Sequence, residues 1–141
     1  MASSNTNDTR ETVLRYLKAL GEKDLATVLA LAADDIEYRI LGDHPLAGVF
    51  SGRDQVVAGF FQPMMSLLDM AAPYVTEVSR MITEDEHAVV ECVSSSTTKD
   101  GRPFRNPMVA ILTVKDGKVT QVAEYFDTDN FKRTLFPSAP R

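Results

Sequence analysis

Val13, Tyr16, Leu17 and Leu20 fall at i, i+3, i+4 and i+7, the apolar stripe of a helix that should end at Gly21. Asp8 followed by Glu11 is a capping-box-like start, and the small polar residues 1–8 before the stripe are expected to form a disordered leader. A second helix repeats the stripe with Leu25, Val28, Leu29 and Ala32 behind an Asp24 cap, so the two should form an αα-hairpin. Asp35 to Ile40 alternates polar and apolar, the mark of a half-buried strand, and breaks at a Gly- and Pro-rich loop over residues 42–52. A third helix is predicted from Arg53 to about Leu68, apolar at Val56, Val57, Phe60, Phe61, Met64 and Leu67, and kinked or interrupted at Pro63.

The second half changes character. Residues 74–82, 87–98, 104–114 and 118–127 are rich in β-branched and aromatic residues, and the last three segments are joined by the Asp-Gly turns Lys99–Arg102 and Lys115–Lys118. Helices first and an antiparallel meander afterwards predict an α+β fold with helices on one face of a curved sheet. One domain over residues 9–136 and a short tail at 137–141 account for the chain.

Composition narrows the function. In 141 residues, 15 Lys and Arg face 20 Asp and Glu, a net charge of −5 without a basic cluster, which argues against a nucleic-acid partner. Cys92 is the only cysteine, so no disulfide framework or cysteine zinc site forms within one chain. The N-terminus has no secretory pattern and no segment has the apolar length of a membrane span, so a cytoplasmic protein away from membranes is expected. Neither His44 nor His87 has partners at metal-ligand spacing, so no metal is expected.

Glu91 and Glu124 are the leading candidates for chemistry, because two carboxylates in one apolar pocket raise at least one pKa toward neutrality and can act as acid and base. Whether they meet depends on hairpin register. A two-residue turn at Asp100-Gly101 puts Glu91 opposite Ala110, and a three-residue turn at Lys115–Gly117 puts Glu124 opposite Met108, on the same face. If both hairpins use the same turn type, the acids fall on opposite faces.

Tyr16 lies on the core stripe and Tyr38 in the first strand, where each is either structural or pocket-lining and a buried hydroxyl needs a partner. His44 beside Asp43 in the loop is either an exposed residue or an auxiliary acid. Asn106 before Pro107 is a possible rim bulge and a candidate amide donor to an oxyanion. Ser94 to Thr98 either offer hydroxyls to a ligand or fill the strand, and Cys92 alternates away from Glu91 and should be a core thiol. Phe60, Phe61, Met64 and Met108 would supply apolar walls for a small hydrophobic molecule.

The element order, with LAADDIEYRILGDHPLAGVFSGRDQVV at 31–57 and DGKVTQVAEYFDT at 116–128, resembles the nuclear transport factor 2-like superfamily over roughly residues 9–133. The resemblance implies a cone-shaped sheet wrapped around three helices, a pocket between them, and a homodimer formed through the sheet. Similarity to ketosteroid isomerase places its tyrosine donor on Tyr16, its catalytic base on Ile40 and its oxyanion-hole acid near Val109 or Ala110. Similarity to limonene epoxide hydrolase places its triad on Glu124, Glu91 and Val93 and its water-positioning tyrosine on Tyr38. The PLAG segment at Pro45–Gly48 is most similar to the SnoaL-like subgroup. The implied activity is cofactor-independent acid–base isomerisation or cyclisation of a hydrophobic carbonyl compound. A dehydratase or epoxide hydrolase on the same scaffold and a non-catalytic binding or dimeric interaction domain are the alternatives. In the enzyme reading Glu124 is the base, Tyr16 and Tyr38 the oxyanion donors, and Glu91 or His44 the auxiliary acid, with Asp43 and Asn106 also contacting the substrate.

Overall fold

The computed structural model describes residues 4–138, so the first three residues of the expected leader and the last three of the expected tail lie outside it. Helix α1 (Ser4–Gly21) takes in the rest of the leader. Its first turns are tied to the sheet: Thr6 Oγ1 accepts from the Asp85 N–H (2.8 Å) and the Thr9 hydroxyl donates to the Asp85 carbonyl (2.6 Å). Polar composition suggested a free end, but these hydroxyls have long-range partners that composition does not show. Gly21 is not the residue that turns the chain. Lys23 takes the left-handed conformation (φ 56°) and the Asp24 N–H closes on the Ala19 carbonyl at 2.9 Å.

Asp24 then caps α2 (Leu25–Leu31) by accepting from the Thr27 N–H, as its spacing predicts. Strand β1 (Ala32–Ile40) follows directly, starting before the predicted alternation. The predicted loop contains a short strand, β2 (Gly48–Ser51), whose mostly exposed residues carry no hydrophobic signal. The third helical run is divided into α3 (Arg53–Val56), a π-helical turn (Val57–Phe61) and α4 (Gln62–Ser66). Pro63 falls at the start of α4, directly after the π-helical turn, so the run is interrupted beside it as predicted.

Strands β3 (Val75–Glu84), β4 (His87–Thr97), β5 (Pro103–Lys115) and β6 (Lys118–Phe126) form the meander. The curved, unclosed sheet has the order β2-β1-β6-β5-β4-β3, and β1 and β6 are its parallel pair. The sequence did not predict α5 (Thr128–Leu135), which Asp127 caps and which buries Phe131 and Leu135. Asn106 and Pro107 pair regularly with Ser94 and Val93, so the expected rim bulge is absent there. The β5–β6 ladder ends at Met108↔Phe126, which leaves Pro107 beyond it, where no N–H is needed on that side.

The core lies between the helices and one sheet face. Val13, Tyr16 and Val28 meet Ile36, Tyr38, Val90, Leu112 and Val122, and all are almost completely buried. No helix among the described residues is long and apolar enough to cross a membrane.

Candidate active site

The helices do not fill the sheet. They leave a cavity of about 140 Å³, room for roughly ten water molecules and hence for a small ligand. Its walls are mainly apolar, with Phe60, Phe61, Met64 and Met108 all taking part as the sequence predicts. Phe60 and Phe61 pack on Tyr38 at ring-centroid distances of 5.7 and 5.3 Å, which holds that tyrosine against β1.

Glu124 enters this cavity from β6. It lies between Ile40 on β1 and Ala110 on β5. These flanking positions are those to which the ketosteroid isomerase resemblance assigns the base and the oxyanion acid. Here both are apolar, and the carboxyl stands on the strand between them. Burial raises its pKa from 4.5 to about 7, with no cation or hydrogen bond among the described residues opposing the rise. Its charge also helps to push up Tyr16, Tyr74 and Cys92, so all three lie within its field.

Tyr16 on α1 and Tyr38 on β1 are both 1% exposed and hydrogen-bond each other through their hydroxyls inside the cavity. One phenolic proton is used in that bond, so the pair can offer one O–H to a guest. Desolvation, with the Glu124 charge second, holds the Tyr16 phenol far above its ordinary value and therefore protonated. The pair suits a donor to a developing oxyanion.

Three sequence-predicted members lie elsewhere. Glu91 pairs with Val109 on the opposite sheet face and is exposed, receiving the Ser79 hydroxyl at 3.1 Å with Arg80 at 3.9 Å. The two acids therefore never meet, and with Val93 also on that outer face the epoxide-hydrolase triad is not assembled. The register is neither of the predicted ones: Lys99–Gly101 is a three-residue loop and Asp116-Gly117 a two-residue turn, with a bulge at Thr120. His44 is buried but does not line the cavity. Its Nε2 donates to the Leu41 carbonyl (2.9 Å), its Nδ1 accepts from the Leu46 N–H (3.2 Å), and its ring packs on Phe131. Desolvation depresses its pKa, so it pins the loop as a neutral imidazole. Asp43 is exposed and also outside the lining.

Asn106 does line the cavity. Its Nδ2 faces the Met108 sulfur at 3.9 Å and its Oδ1 is buried with no partner among the described residues. Sequence reasoning also missed Tyr74. This tyrosine lines the same cavity, and burial lifts its phenol to about 12, opposed by the Ser94 hydroxyl. Ser94, Ser96 and Thr76 share the lining, and Cys92 is a buried thiol raised to about 11, chiefly by desolvation.

Known proteins share this architecture. An uncharacterized protein of Mycobacterium tuberculosis is 27% identical over 118 residues, covering 81% of this chain and 85% of its own. The crystal structure of an NTF2-like protein from Burkholderia xenovorans is 29% identical, with a TM-score of 0.74 over 92% of this chain and 97% of that one. A protein from Jannaschia sp. named as a SnoaL-like polyketide cyclase superposes with a TM-score of 0.80 at 18% identity, covering 100% of this chain and 99% of its own. The SnoaL-like domain family matches residues 13–122, which include β1 and β6 up to Val122 and most of the cavity wall, and the chain belongs to that family, on the nuclear transport factor 2-like fold.

Proposed function

We propose that this protein is a cofactor-independent enzyme that moves a proton at the carbon beside a carbonyl in a small hydrophobic compound, as an isomerase or cyclase does. The observation that carries the reading is Glu124, a carboxyl set among the apolar walls of the cavity, whose desolvation brings its pKa to about 7. At neutral pH a large fraction is ionised, yet the base is far stronger than an exposed glutamate. The carboxylate removes the α-proton, the free O–H of the Tyr16–Tyr38 pair bonds the developing enolate oxygen, and the protonated Glu124 returns the proton. The apolar walls suit a hydrophobic guest and keep water from screening that charge.

Hydrogen–deuterium exchange at the α-carbon of 1-tetralone in D₂O, followed by proton NMR, tests the reaction. The native protein should accelerate exchange, with a rate that rises with pH and levels off above about 7, and Glu124→Gln should abolish the acceleration. Exchange that persists in Glu124→Gln rejects the reading, and exchange absent from the native protein favours a binding domain.

We also propose a cytoplasmic homodimer joined through the outer sheet face, where Ile82, Ile111 and Tyr125 are 57%, 38% and 41% exposed. Sedimentation equilibrium should give twice the chain mass, and a monomer would reject it.

A further inference from the structure

The cavity has a second polar end that the proposed proton transfer does not use. Thr76, Ser94 and Asn106 lie side by side across β3, β4 and β5, and all three face the cavity. Thr76 and Ser94 join hydroxyls at 3.3 Å, with the Tyr74 phenol close to Ser94. Asn106 is the member left over. It is 4% exposed, and among the described residues its Oδ1 has no partner and its N–H has only a thioether sulfur at 3.9 Å. A sulfur accepts weakly and donates nothing, so a rotation of the amide toward the cavity gives up little.

The spacing from Glu124 follows from register. Glu124 is opposite Ala110, four residues along β5 from Asn106. At ~3.4 Å per residue the two positions are roughly 14 Å apart along the strand, and a hydrogen bond of ~3 Å at each end leaves roughly 8 Å. That is the length of a two-ring molecule. Between the two ends lie Cys92 and Met108, which offer an apolar surface.

We propose that the ligand is two-ended, a bicyclic carbonyl compound whose far end carries a hydroxyl, and that Asn106 is the specificity residue that bonds it. A hydroxyl both donates and accepts, so it satisfies the amide whichever end turns toward the cavity, and the Ser94 hydroxyl beside it. The assignment of the near end rests on the reaction proposed above, whereas the Asn106 end stands on its own unpaired atom.

Binding of 1-tetralone and 6-hydroxy-1-tetralone, at a pH where the phenol is neutral, tests it by calorimetry on the full chain. The native protein should prefer the hydroxylated probe by about fivefold, the value of one net hydrogen bond. Asn106→Leu, close in volume and without polar atoms, should bring the ratio to within about twofold of unity while 1-tetralone still binds. In the native protein the Asn106 side-chain amide resonances should shift with the hydroxylated probe and not with its parent, a readout that does not depend on the variant folding. No preference in the native protein, whether both probes or neither bind, overturns the proposal, as does a preference that survives Asn106→Leu or amide resonances that stay still. Preference without α-exchange would reject the proposed catalysis and leave this site standing. Exchange without preference would reject this site alone.

Discussion

Replacing Glu124 with glutamine removes one ionisation at nearly constant volume, and the structure sets the sign and size of the result. In the folded chain the carboxyl keeps its proton up to about pH 7, against an ordinary value of 4.5. Below pH 4.5 both folded and unfolded states are protonated, and the group's contribution to stability is fully present. Between 4.5 and about 7 only the unfolded state releases the proton, so stability falls as pH rises, and above about 7 the loss is complete. At about 1.4 kcal/mol per pH unit the loss amounts to about 3 kcal/mol. Glutamine does not titrate and escapes it. The variant buries an amide of its own, but that cost does not depend on pH, so the diagnostic quantity is how the difference between the two proteins changes with pH. His44 titrates with the opposite sign, because its depressed pKa removes stability as pH falls. It is present in both proteins and cancels. Urea unfolding at about pH 4 and about pH 8, at one protein concentration, should show Glu124→Gln gaining roughly 2–3 kcal/mol relative to the native protein between the two conditions. A difference constant to within about 0.5 kcal/mol would mean that the carboxyl is solvated, and the argument for a tuned base would fall with it.

Removing both hydroxyls, with Tyr16→Phe and Tyr38→Phe together, should slow α-exchange by roughly 10²–10³, the range for loss of an oxyanion donor, since either tyrosine alone still leaves one O–H for the guest. Tyr16→Phe alone should lower stability by about 1–3 kcal/mol in thermal unfolding, because the buried Tyr38 hydroxyl loses its partner. Glu91→Gln should leave exchange within about twofold and stability within about 0.5 kcal/mol of the native values, since the side chain is exposed and its ion pair with Arg80 lies on the outer face. His44→Ala should cost about 2–3 kcal/mol in urea unfolding, from two lost hydrogen bonds and the contact with Phe131, while the exchange rate of the folded fraction stays within about twofold.

Long periodic elements were legible from the sequence, and elements held by long-range partners were not. The stripe at Val13, Tyr16, Leu17 and Leu20 placed α1 and put Tyr16 in the core, where it is 1% exposed. The start of that helix was misjudged because Thr6 and Thr9 are anchored by Asp85, far away in sequence. In β2 only Phe50 is even half-buried, so no alternation marks it, and α5 followed a strand pattern that hid its Asp127 cap. Tyr74 escaped because the surrounding pattern is inverted: Val75 is 46% exposed on the outer side, while Tyr74 and Thr76 face the cavity. The apolar walls were easier to place, since Phe60, Phe61 and Met64 are apolar both in the helix pattern and in the cavity.

The fate of the two acids was decided by a single residue that no turn signal encodes. Both hairpins carry Asp-Gly, yet one closes as a three-residue loop with a positive φ at Gly101, and the other as a two-residue turn with positive φ at Asp116 and Gly117. Counting regularly back from Lys115↔Lys118 would pair Glu124 with Val109, on the outer face with Glu91. The bulge at Thr120 shifts the count so that Glu124 pairs with Ala110 and turns inward. Its trace in the sequence is the spacing of Val119 and Val122. Both are buried, and three positions apart in a regular strand they would face opposite sides. Glu124 follows Val122 by two and so shares its face, the only assignment that keeps both valines in the core. The extra residue therefore lets one strand bury an apolar pair at odd spacing and hold a carboxyl in a mainly apolar cavity beside it. The same inward turn that raises the pKa of Glu124 to about 7 makes it the group on which the proposed chemistry depends.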